Sequence, residues 1–578
     1  MPVPPDPAPA ASPPPPPPLA PPPPRARDAA AAFLLAFALL VAFAGVRDLW
    51  DADEGRYGTV ALDMTRSGDY LTPREHGMRF MDKPPLVYWM ACGAYAVLGP
   101  TPLAARLPCI VAGATLALLG FLFAARLAGS RRAGFAAAIV VATSGGGMGF
   151  SRTVTMDMGL AAAIAGALWA GLRALASPAV GWRVLLGACV GAGLLVKGPL
   201  AAVASALVAF AWVAVGTSLK ATLRTLASPV AWGVALAVAG PWYALMERAN
   251  PGYLEHFVTY EHFRRFREPG HRDFAPVWLY AAVLPLFLVP WTLLLPRARL
   301  PAPVEGAVRR PVPGHRLMWA WVVVLLVLYS AGRNRLFTYA LPLFLPLAVL
   351  CGARLAQLVE DPASVREARR GPALAGATVA VAGLVYLVAH ATGHAPAGLP
   401  DGAGGWGLGL LGVAAGLPSA LLFGWRGPSP RARLATLAIA AASMWWGLDL
   451  VAARFDAARS PRALAATLAR EAGPDDLVVC LDLLPQGLRF AQPGLRVAVA
   501  GKQPEIVEPW ATKDGAGRLF GHDDLRAMWD GPRRIVLVAR VKKAEEWMAR
   551  RGGRALARGL SGAQRADLVV VENRPRAP

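Results

Sequence analysis

Cysteine is scarce in this sequence, and charge is missing from long stretches of it. Five cysteines are scattered among 578 residues, at positions 92, 109, 189, 351 and 480. Cysteines spaced in this way form neither a disulfide framework nor a zinc-finger pattern. Only 17% of the residues are charged, while 55% are hydrophobic. That composition argues against a soluble protein of this length and indicates an integral membrane protein.

The positive charge of the chain is large but is not gathered into one surface. The formal net charge is +22, which on its own would suit a protein that binds nucleic acid. Here the lysines and arginines stand mostly in short connectors between apolar runs, where they orient membrane helices. We therefore predict contact with membrane lipids and no nucleic-acid partner.

The beginning of the chain, residues 1–28, is rich in proline, with uninterrupted runs at 13–18 and 21–24. Such a segment can form neither a helix nor a core, so we predict a disordered cytoplasmic arm. The apolar run 29–46 follows, and its triplet 42–44 (Ala-Phe-Ala) is similar to a signal-peptidase site. A cleaved signal peptide is the alternative to the retained membrane helix that we predict.

Apolar runs follow one another along residues 29–452, the predicted membrane domain. A spanning helix needs about 20 mostly apolar residues, and about thirteen runs qualify. They are 29–47, 104–126, 133–150, 157–174, 182–196, 199–217, 227–245, 275–296, 317–331, 337–353, 371–390, 406–425 and 434–452. The run 85–99 is shorter and rich in aromatic residues, so we predict a helix on the membrane surface there. The predicted fold class is therefore membrane α-helical, with a large first external loop.

The charge of the loops selects among possible topologies. With the N-terminus inside and 85–99 on the surface, arginine-rich connectors such as Arg126–Arg132 and Arg297–Arg316 face the cytoplasm. The connectors on the other side hold few cations, and 391–405 holds no Lys or Arg. Counting 85–99 as a span would place Arg126–Arg132 outside. The positive-inside rule thus predicts a cytoplasmic N-terminus and an external C-terminus.

Residues 453–578 follow a different pattern. Their apolar β-type runs lie at 477–481, 495–500, 535–538 and 568–571. Helical stretches separate these runs, which predicts a small α/β domain. The domain has no Gly-rich phosphate loop and no catalytic triad pattern, so we expect it to cover or orient the membrane domain.

Polar residues gather in loops of the predicted external face. They occur at Asp51–Tyr57, Arg79–Pro85, Ser151–Asp157, Tyr260–Arg267 and Arg333–Tyr339. Charged groups at a membrane face are costly unless they are paired or functional. Arginine and lysine recognise phosphate, whereas a carboxylate acts on a hydroxyl group or a sugar. The set predicts a pocket for a phosphate-bearing lipid.

Each cluster also has a purely structural interpretation. Asp53 and Glu54 suit the start of a helix, and so does Asp157. Lys83 suits an interfacial side chain that extends to water, and His262 suits a hydrogen-bonded polar residue. Polar residues with separate structural roles would be scattered over both membrane faces. Because these clusters converge on one face, a functional interpretation is favoured.

The order of these motifs resembles a known family. The motifs are Asp53-Glu54 with Arg56-Tyr57, Ser67–Tyr70, Lys83–Pro85 with Tyr88-Trp89, Ser151–Asp157, Lys197–Pro199, Gly240–Tyr243, Glu261–Phe266 and Thr338–Pro342. As a set over residues 30–350, they are similar to the GT-C superfamily of polyprenyl-phosphate-sugar glycosyltransferases. Within it, they resemble the aminoarabinose transferases that modify lipid A and their protein O-mannosyltransferase relatives.

The resemblance implies an inverting glycosyltransferase that moves a sugar from a polyprenyl (undecaprenyl) phosphate donor to an envelope acceptor such as lipid A. The enzyme would be a multi-pass protein of the bacterial inner membrane, with its active face and C-terminal domain in the periplasm. The implied catalytic residues are Asp53, Glu54 and Asp157. The implied donor-phosphate residues are Lys83, Arg265, Arg267 and Tyr339. Further donor or acceptor contacts are assigned to Arg56, Tyr57 and Lys197.

The resemblance also implies a divalent metal, zinc. In the aminoarabinose transferases a glutamate before the lysine helps a histidine to bind it. Asp82 and His262 occupy those positions here and are the candidate ligands. Aspartate reaches one bond less than glutamate, and two ligands are fewer than the four of a structural zinc site.

Three alternatives stay open. A protein O-mannosyltransferase would use polyprenyl-phosphate mannose with the same motifs. A transporter or flippase would carry charges within its spans and an internal repeat, and we predict neither. A non-catalytic subunit of envelope assembly would not need Asp53, Lys83 and Asp157. These residues fix neither the donor sugar nor the acceptor, whether lipid A, another glycan or a protein.

The predicted topology can be tested with reporter fusions. We expect a fusion at Arg310 and a fusion near the C-terminus to report opposite sides of the membrane, because Arg310 lies in an arginine-rich, cytoplasmic loop. The measurement is the activity of a reporter that works only outside the cytoplasm. Activity of both fusions, or of neither, would contradict the topology.

Overall fold

A computed structural model of the protein describes residues 25–264, 267, 276–297, 313–360, 384, 387–388, 430–453, 456–501, 514, 517–562 and 566–574. Most of the predicted arm 1–28, the predicted spans 371–390 and 406–425 apart from three positions, and Arg265 lie outside the described residues.

Helices dominate the first part of the described chain. They are α1 (Ala26–Val41), α2 (Asp53–Ser67), α3 (Leu86–Leu98), α4 (Pro102–Ala128), α5 (Arg131–Thr143), α6 (Met156–Ala176), α7 (Val180–Lys197), α8 (Leu200–Ala214), α9 (Leu219–Leu226), α10 (Pro229–Ala249), α11 (Tyr253–Glu255), α12 (Leu279–Phe287), α13 (Gly314–Ala331), α14 (Leu341–Glu360) and α15 (Pro430–Ala452). A π-helical segment, His256–Arg264, continues α11.

Six of the described helical segments are long and apolar enough to cross a membrane. They are Pro102–Ala128, Met156–Ala176, Val180–Lys197, Leu219–Ala249, Gly314–Ala331 and Phe337–Leu358. Each coincides with a predicted span, so the α-helical, multi-pass membrane architecture is confirmed. The full number of about thirteen spans stays a prediction.

Among the predicted runs that form shorter helices than expected, two are interrupted within the run. The run 133–150 is helical only to Thr143, because three glycines follow Ser144 and form a π-helical turn, Gly145–Gly149. Glycine has a high entropic cost in a helix, which favours the break. The run 275–296 contains α12 with Pro285 inside it, and a 3₁₀ helix, Thr292–Arg297, follows.

Small residues let the membrane helices approach closely. Gly352 of α14 lies against Ala137 of α5, where an added Cβ would be 2.4 Å from the Ala137 backbone. Gly187 of α7 meets α10 in the same way, with only 2.2 Å between such a Cβ and the Ala231 carbonyl oxygen. Close packing of this kind is the main source of helix association within a bilayer.

The loop between α1 and α3 carries two further elements that position the site. Helix α2 opens at Asp53, and a short antiparallel hairpin of β1 (Arg74–Glu75) and β2 (Met78–Arg79) follows it. The short α3 then leads to α4, whose first turn is capped by the Thr101 side chain.

The last part of the described chain forms a six-stranded sheet. Its strands are β3 (Leu477–Leu481), β4 (Val497–Ala500), β5 (Leu519–Phe520), β6 (Ile535–Arg540), β7 (Arg554–Gly562) and β8 (Ala566–Glu572). The order is β5-β4-β3-β6-β8-β7, parallel from β5 to β6 and antiparallel at β8 and β7. The strands β3, β4 and β6 are apolar along nearly their whole length because helices cover both faces of the sheet.

Helices α16 (Asp456–Arg459), α17 (Arg462–Glu471), α18 (Leu488–Ala491), α19 (His522–Trp529) and α20 (Val541–Arg551) accompany this sheet. One face packs on Leu464 and Leu468 of α17. The other packs on Trp529 of α19 and Trp547 of α20. Each face therefore has its own hydrophobic core.

Candidate functional site

A buried ion-pair cluster fixes the start of α2. The Glu54 carboxylate accepts hydrogen bonds from Arg106 on α4, at 2.9 Å from Nε and 3.1 Å from Nη2, and from Arg47. The backbone amides of Trp50 and Val154 also donate to it, at 3.2 and 3.3 Å. Burial opposes ionisation, but the charges of Arg106 and Arg47 hold the pKa of Glu54 at about 2. Its partners thus make Glu54 a permanently charged anchor rather than a group ready for proton transfer.

Arg106 also shapes the chain that precedes α2. Its side chain is fully buried, and it donates to the carbonyl oxygens of Ala44, Arg47 and Asp48 at 2.7 to 2.8 Å. The prediction that the spans carry no charge is therefore wrong, because Arg106 lies within span 104–126. Its partner Glu54 compensates the charge, as a buried arginine requires. A charge within an apolar run was the sequence signal for this role.

Asp53, at the first turn of α2, is exposed, in contrast to Glu54. Tyr57 lies one turn further along the same helix. Burial of the Tyr57 phenol raises its pKa, and the charges of Asp53, Asp82 and Asp157 raise it further. Three of the predicted site carboxylates, from three separate parts of the sequence, therefore act electrostatically on one phenol.

Lys83 lies between two carboxylates. Its Nζ is 3.4 Å from Asp82 Oδ2 and 3.4 Å from Glu261 Oε2, and it donates to the Asp82 carbonyl oxygen at 3.1 Å. Its side chain is only 13% exposed. These contacts aim the ammonium group, which an interfacial lysine would not need. The role of Glu261 was missed from the sequence, although it directly precedes the predicted His262.

A second lysine and carboxylate pair lies where α7 ends and α6 begins. Lys197, the last residue of α7, forms a salt bridge with Asp157. The Lys197 ammonium also lies 4.4 Å from the centre of the Tyr339 ring, a cation–π arrangement. Asp157 is held in turn by Thr155, whose hydroxyl donates to Oδ2 at 3.2 Å. The structure thus brings Asp157, Lys197 and Tyr339 into one contiguous group.

His262 fastens the end of α7. Its Nδ1 lies 2.8 Å from the carbonyl oxygen of Phe257, and its Nε2 lies 3.3 Å from the carbonyl oxygen of Lys197. Burial lowers the pKa of the imidazole. Gly198 has φ +78°, and a Cβ there would be 2.8 Å from His262 Nε2, so glycine is needed on both counts.

The predicted zinc ligands do not fit a metal site in this arrangement. Both nitrogens of His262 face backbone carbonyl oxygens, and Asp82 is paired with Lys83. Among the residues that the structure describes, no three His, Cys, Asp or Glu side chains are grouped closely enough to hold a metal ion. We therefore derive no chemical step through zinc.

The remaining predicted residues lie at the edges of this group. Arg56 pairs with Glu75 of β1 at 3.4 Å and lies over the Phe80 ring, so it links α2 to the hairpin. Arg267 is exposed.

The C-terminal sheet domain contacts the same α2 helix. The Gly487 amide donates to Asp51 Oδ1 at 2.8 Å, and the Thr59 hydroxyl donates to the Gln486 carbonyl oxygen at 2.8 Å. Arg489 forms a salt bridge with Asp63 at 2.8 Å. Burial raises the pKa of Asp51 to about 8, even though the bond from Gly487 lowers it. Sequence analysis did not identify these contacts, because nothing in either segment indicates its distant partner.

Comparison with known proteins finds a matching family model and related sequences over part of the chain. Residues 82–244 match the family model described as dolichyl-phosphate-mannose-protein mannosyltransferase. An undecaprenyl phosphate-alpha-4-amino-4-deoxy-L-arabinose arabinosyl transferase 2 from Pseudomonas fluorescens is 33% identical over 364 residues, 62% of this chain and 63% of that protein. A corresponding transferase from Pseudomonas aeruginosa is 34% identical over 59% of this chain and 62% of its own length. The chain thus matches less than two thirds of the length of these relatives.

The similarity of the fold to a solved structure extends over more of the chain than the sequence similarity does. The crystal structure of ArnT from Cupriavidus metallidurans bound to undecaprenyl phosphate superposes with a TM-score of 0.80, covering 96% of this chain and 100% of that one at 21% identity. The chain is thus similar to undecaprenyl phosphate aminoarabinose transferases over about three fifths of its sequence, and it shares the fold of ArnT over nearly its whole length.

Proposed function

We propose that the protein is an inverting glycosyltransferase that moves a sugar from a polyprenyl phosphate donor to an envelope acceptor such as lipid A. The observation that carries this proposal is the convergence of exposed Asp53 with two restrained lysines, Lys83 and Lys197, and the Asp157 and Tyr339 side chains. The relatives' names, which specify an undecaprenyl phosphate sugar, support the same donor class.

The proposed reaction is a single displacement. The acceptor oxygen bonds to the anomeric carbon of the sugar as the bond from that carbon to the phosphate oxygen breaks. Asp53 takes the proton of a hydroxyl acceptor, and the electron pair leaves with polyprenyl phosphate. If the acceptor is a phosphate, it needs no base, and Asp53 instead stabilises the positive charge that develops on the sugar.

The lysines stabilise the leaving phosphate. An ammonium group has three donors, and those of Lys83 face the Asp82 carbonyl oxygen, Asp82 Oδ2 and Glu261 Oε2. A phosphate oxygen would replace one of the two longer contacts, which are 3.4 Å to the carboxylates. Because both lysines are already held by carboxylates, little reorganisation is needed when the charge moves onto the phosphate. Arg265 and Arg267 are proposed to join them in binding the phosphate, and Glu54 is proposed to position α2 rather than to react.

We place this site on the periplasmic side of the bacterial inner membrane, together with the C-terminal domain. The loop-charge pattern supports that side, since the arginine-rich connectors are predicted to face the cytoplasm. About thirteen spans within residues 29–452, and a separate domain at 453–578, belong to the same proposal.

A protein O-mannosyltransferase is the second candidate. The match of residues 82–244 to a mannosyltransferase family model favours it. It would use the same lysines and Asp53, but with polyprenyl-phosphate mannose as donor and a protein hydroxyl as acceptor. The product formed by purified protein from each donor distinguishes the two.

The role of Asp53 is testable with Asp53→Asn. This change keeps the size of the side chain and removes its charge and basicity, so transfer from undecaprenyl phosphate aminoarabinose to lipid A should fall roughly a hundredfold or more. Asp523→Asn, at an exposed position of α19, is the matched control and should keep the parent rate. Near-parental transfer by a well-folded Asp53→Asn protein would remove the carboxylate from the mechanism.

The role of Lys83 is testable by binding. Lys83→Met should weaken the affinity for sugar-free polyprenyl phosphate by about tenfold to a hundredfold, the effect of losing one charge-assisted contact. Lys220→Met, at an exposed lysine in α9, should bind like the parent. The measurement is titration of the purified proteins in detergent. Equal affinity in all three would identify Lys83 as a structural residue.

We further propose that the C-terminal domain orients α2. Asp51 precedes Asp53 by two residues and is fixed by the Gly487 amide, while Thr59 and Asp63 secure the next turns of α2. The domain thereby holds the helix that carries Asp53.

This docking should depend on pH through Asp51. Its pKa is raised to about 8 by burial, so the folded protein binds the proton more tightly than the unfolded chain. Stability should therefore decrease as the pH rises from the ordinary value of 3.8 to about 8, and level off above it. Asp51→Asn should show a smaller decrease in melting temperature than the parent over this range, and the exposed Asp530→Asn should match the parent. Identical pH dependence in all three would contradict a protonated Asp51.

A further inference from the structure

The rings of three tyrosines lie in a row in space, beside the ion pair of Lys197 and Asp157. The Tyr339 ring, under the Lys197 ammonium, is 6.3 Å from the Tyr329 ring of α13. The Tyr329 ring is in turn 6.3 Å from the Tyr280 ring of α12. Tyr280 of α12, Tyr329 near the end of α13 and Tyr339 in the turn that follows thus form one aromatic wall beside Lys197.

Two of these tyrosines have buried hydroxyl groups without a hydrogen-bond partner among the described residues. Tyr280 is fully buried and Tyr329 is 7% exposed. A buried hydroxyl without a partner is costly, and native proteins seldom retain one without a water or a ligand to bind. Their place next to the proposed reaction site indicates a ligand group.

The charged residues around the two hydroxyls indicate which part of a ligand they would bind. Asp157 acts electrostatically on both phenols, and Arg335 acts on Tyr280. Because Asp157 is already paired with Lys197, the two neutral hydroxyls suit the hydroxyl or amino groups of a sugar, which both donate and accept hydrogen bonds. The aromatic faces suit the C–H surface of a sugar ring.

We propose that Tyr280 and Tyr329, beside Asp157, form the subsite that binds the sugar of the donor. The phosphate then lies at the lysines, and the sugar extends past Tyr339 along the aromatic wall. This inference rests on the proposed function, and it assigns to the two hydroxyls the recognition of the sugar but not of the phosphate or lipid.

Tyr280→Phe, Tyr329→Phe and the double variant test this subsite, because each removes one oxygen atom and keeps the ring. Tyr95→Phe is the matched control, since its hydroxyl is also buried but donates to Gly58 in α2, at 3.3 Å. We expect each single change to raise the KM for the sugar donor about three- to tenfold. The affinity for sugar-free polyprenyl phosphate and the melting temperature should stay at parental values, and Tyr95→Phe should keep the parental KM.

Other results would overturn the subsite. An unchanged KM would show that the hydroxyls bind no part of the donor. Weaker binding of sugar-free polyprenyl phosphate would assign them to the phosphate, and a lower melting temperature would assign them to packing. If the parent protein transfers no sugar from any polyprenyl phosphate donor, the proposed function itself fails and the subsite fails with it. An active parent with unaffected variants removes the subsite alone.

Discussion

The buried carboxylate of Glu54, clamped by Arg106 and Arg47, is the interaction on which the site depends. A charge that is removed from water must be paired almost completely. The positions of Arg106 and Arg47 therefore determine the position of the Glu54 carboxylate. Arg106 fixes the preceding backbone through three carbonyl oxygens. Arg47 donates to the Arg152 carbonyl oxygen at 3.1 Å, and Arg152 pairs with Asp449 of α15. One carboxylate thus connects α2, α4, α15 and the loop before α6.

Within that framework, the cations and carboxylates of the site occur as pairs. Lys83 is shared by Asp82 and Glu261, and Lys197 is bound to Asp157. Such pairs keep the net charge of the pocket low before a ligand enters. They also fix each ammonium group in space, which gives electrostatic stabilisation its directional value.

Much of this could be predicted from the sequence. Apolar run length fixed the six long helices, and alternation of β-type and helical segments indicated the C-terminal sheet. Motif order brought Asp53, Lys83, Asp157 and Tyr339 together before any geometry was known. The division of labour between Asp53 and Glu54 could not be predicted, because adjacent residues of one type differ only in what surrounds them. Likewise, the sequence around position 262 does not reveal that both ring nitrogens of this histidine lie against backbone carbonyl oxygens. The Asp51 to Gly487 contact joins residues 436 apart, and no local pattern encodes it.

That long contact has a consequence for biosynthesis. The helix carrying Asp53 is made among the first residues of the chain, whereas Gln486 and Gly487 are made after the membrane domain is complete. Until the ribosome has passed them, the Asp51 carboxyl group lacks the amide that holds it in the finished protein. A nascent or truncated chain would therefore hold the ion pairs of its membrane domain before the start of α2 is secured by Gly487. A truncation that ends before Gln486 should loosen α2 while it leaves those ion pairs in place.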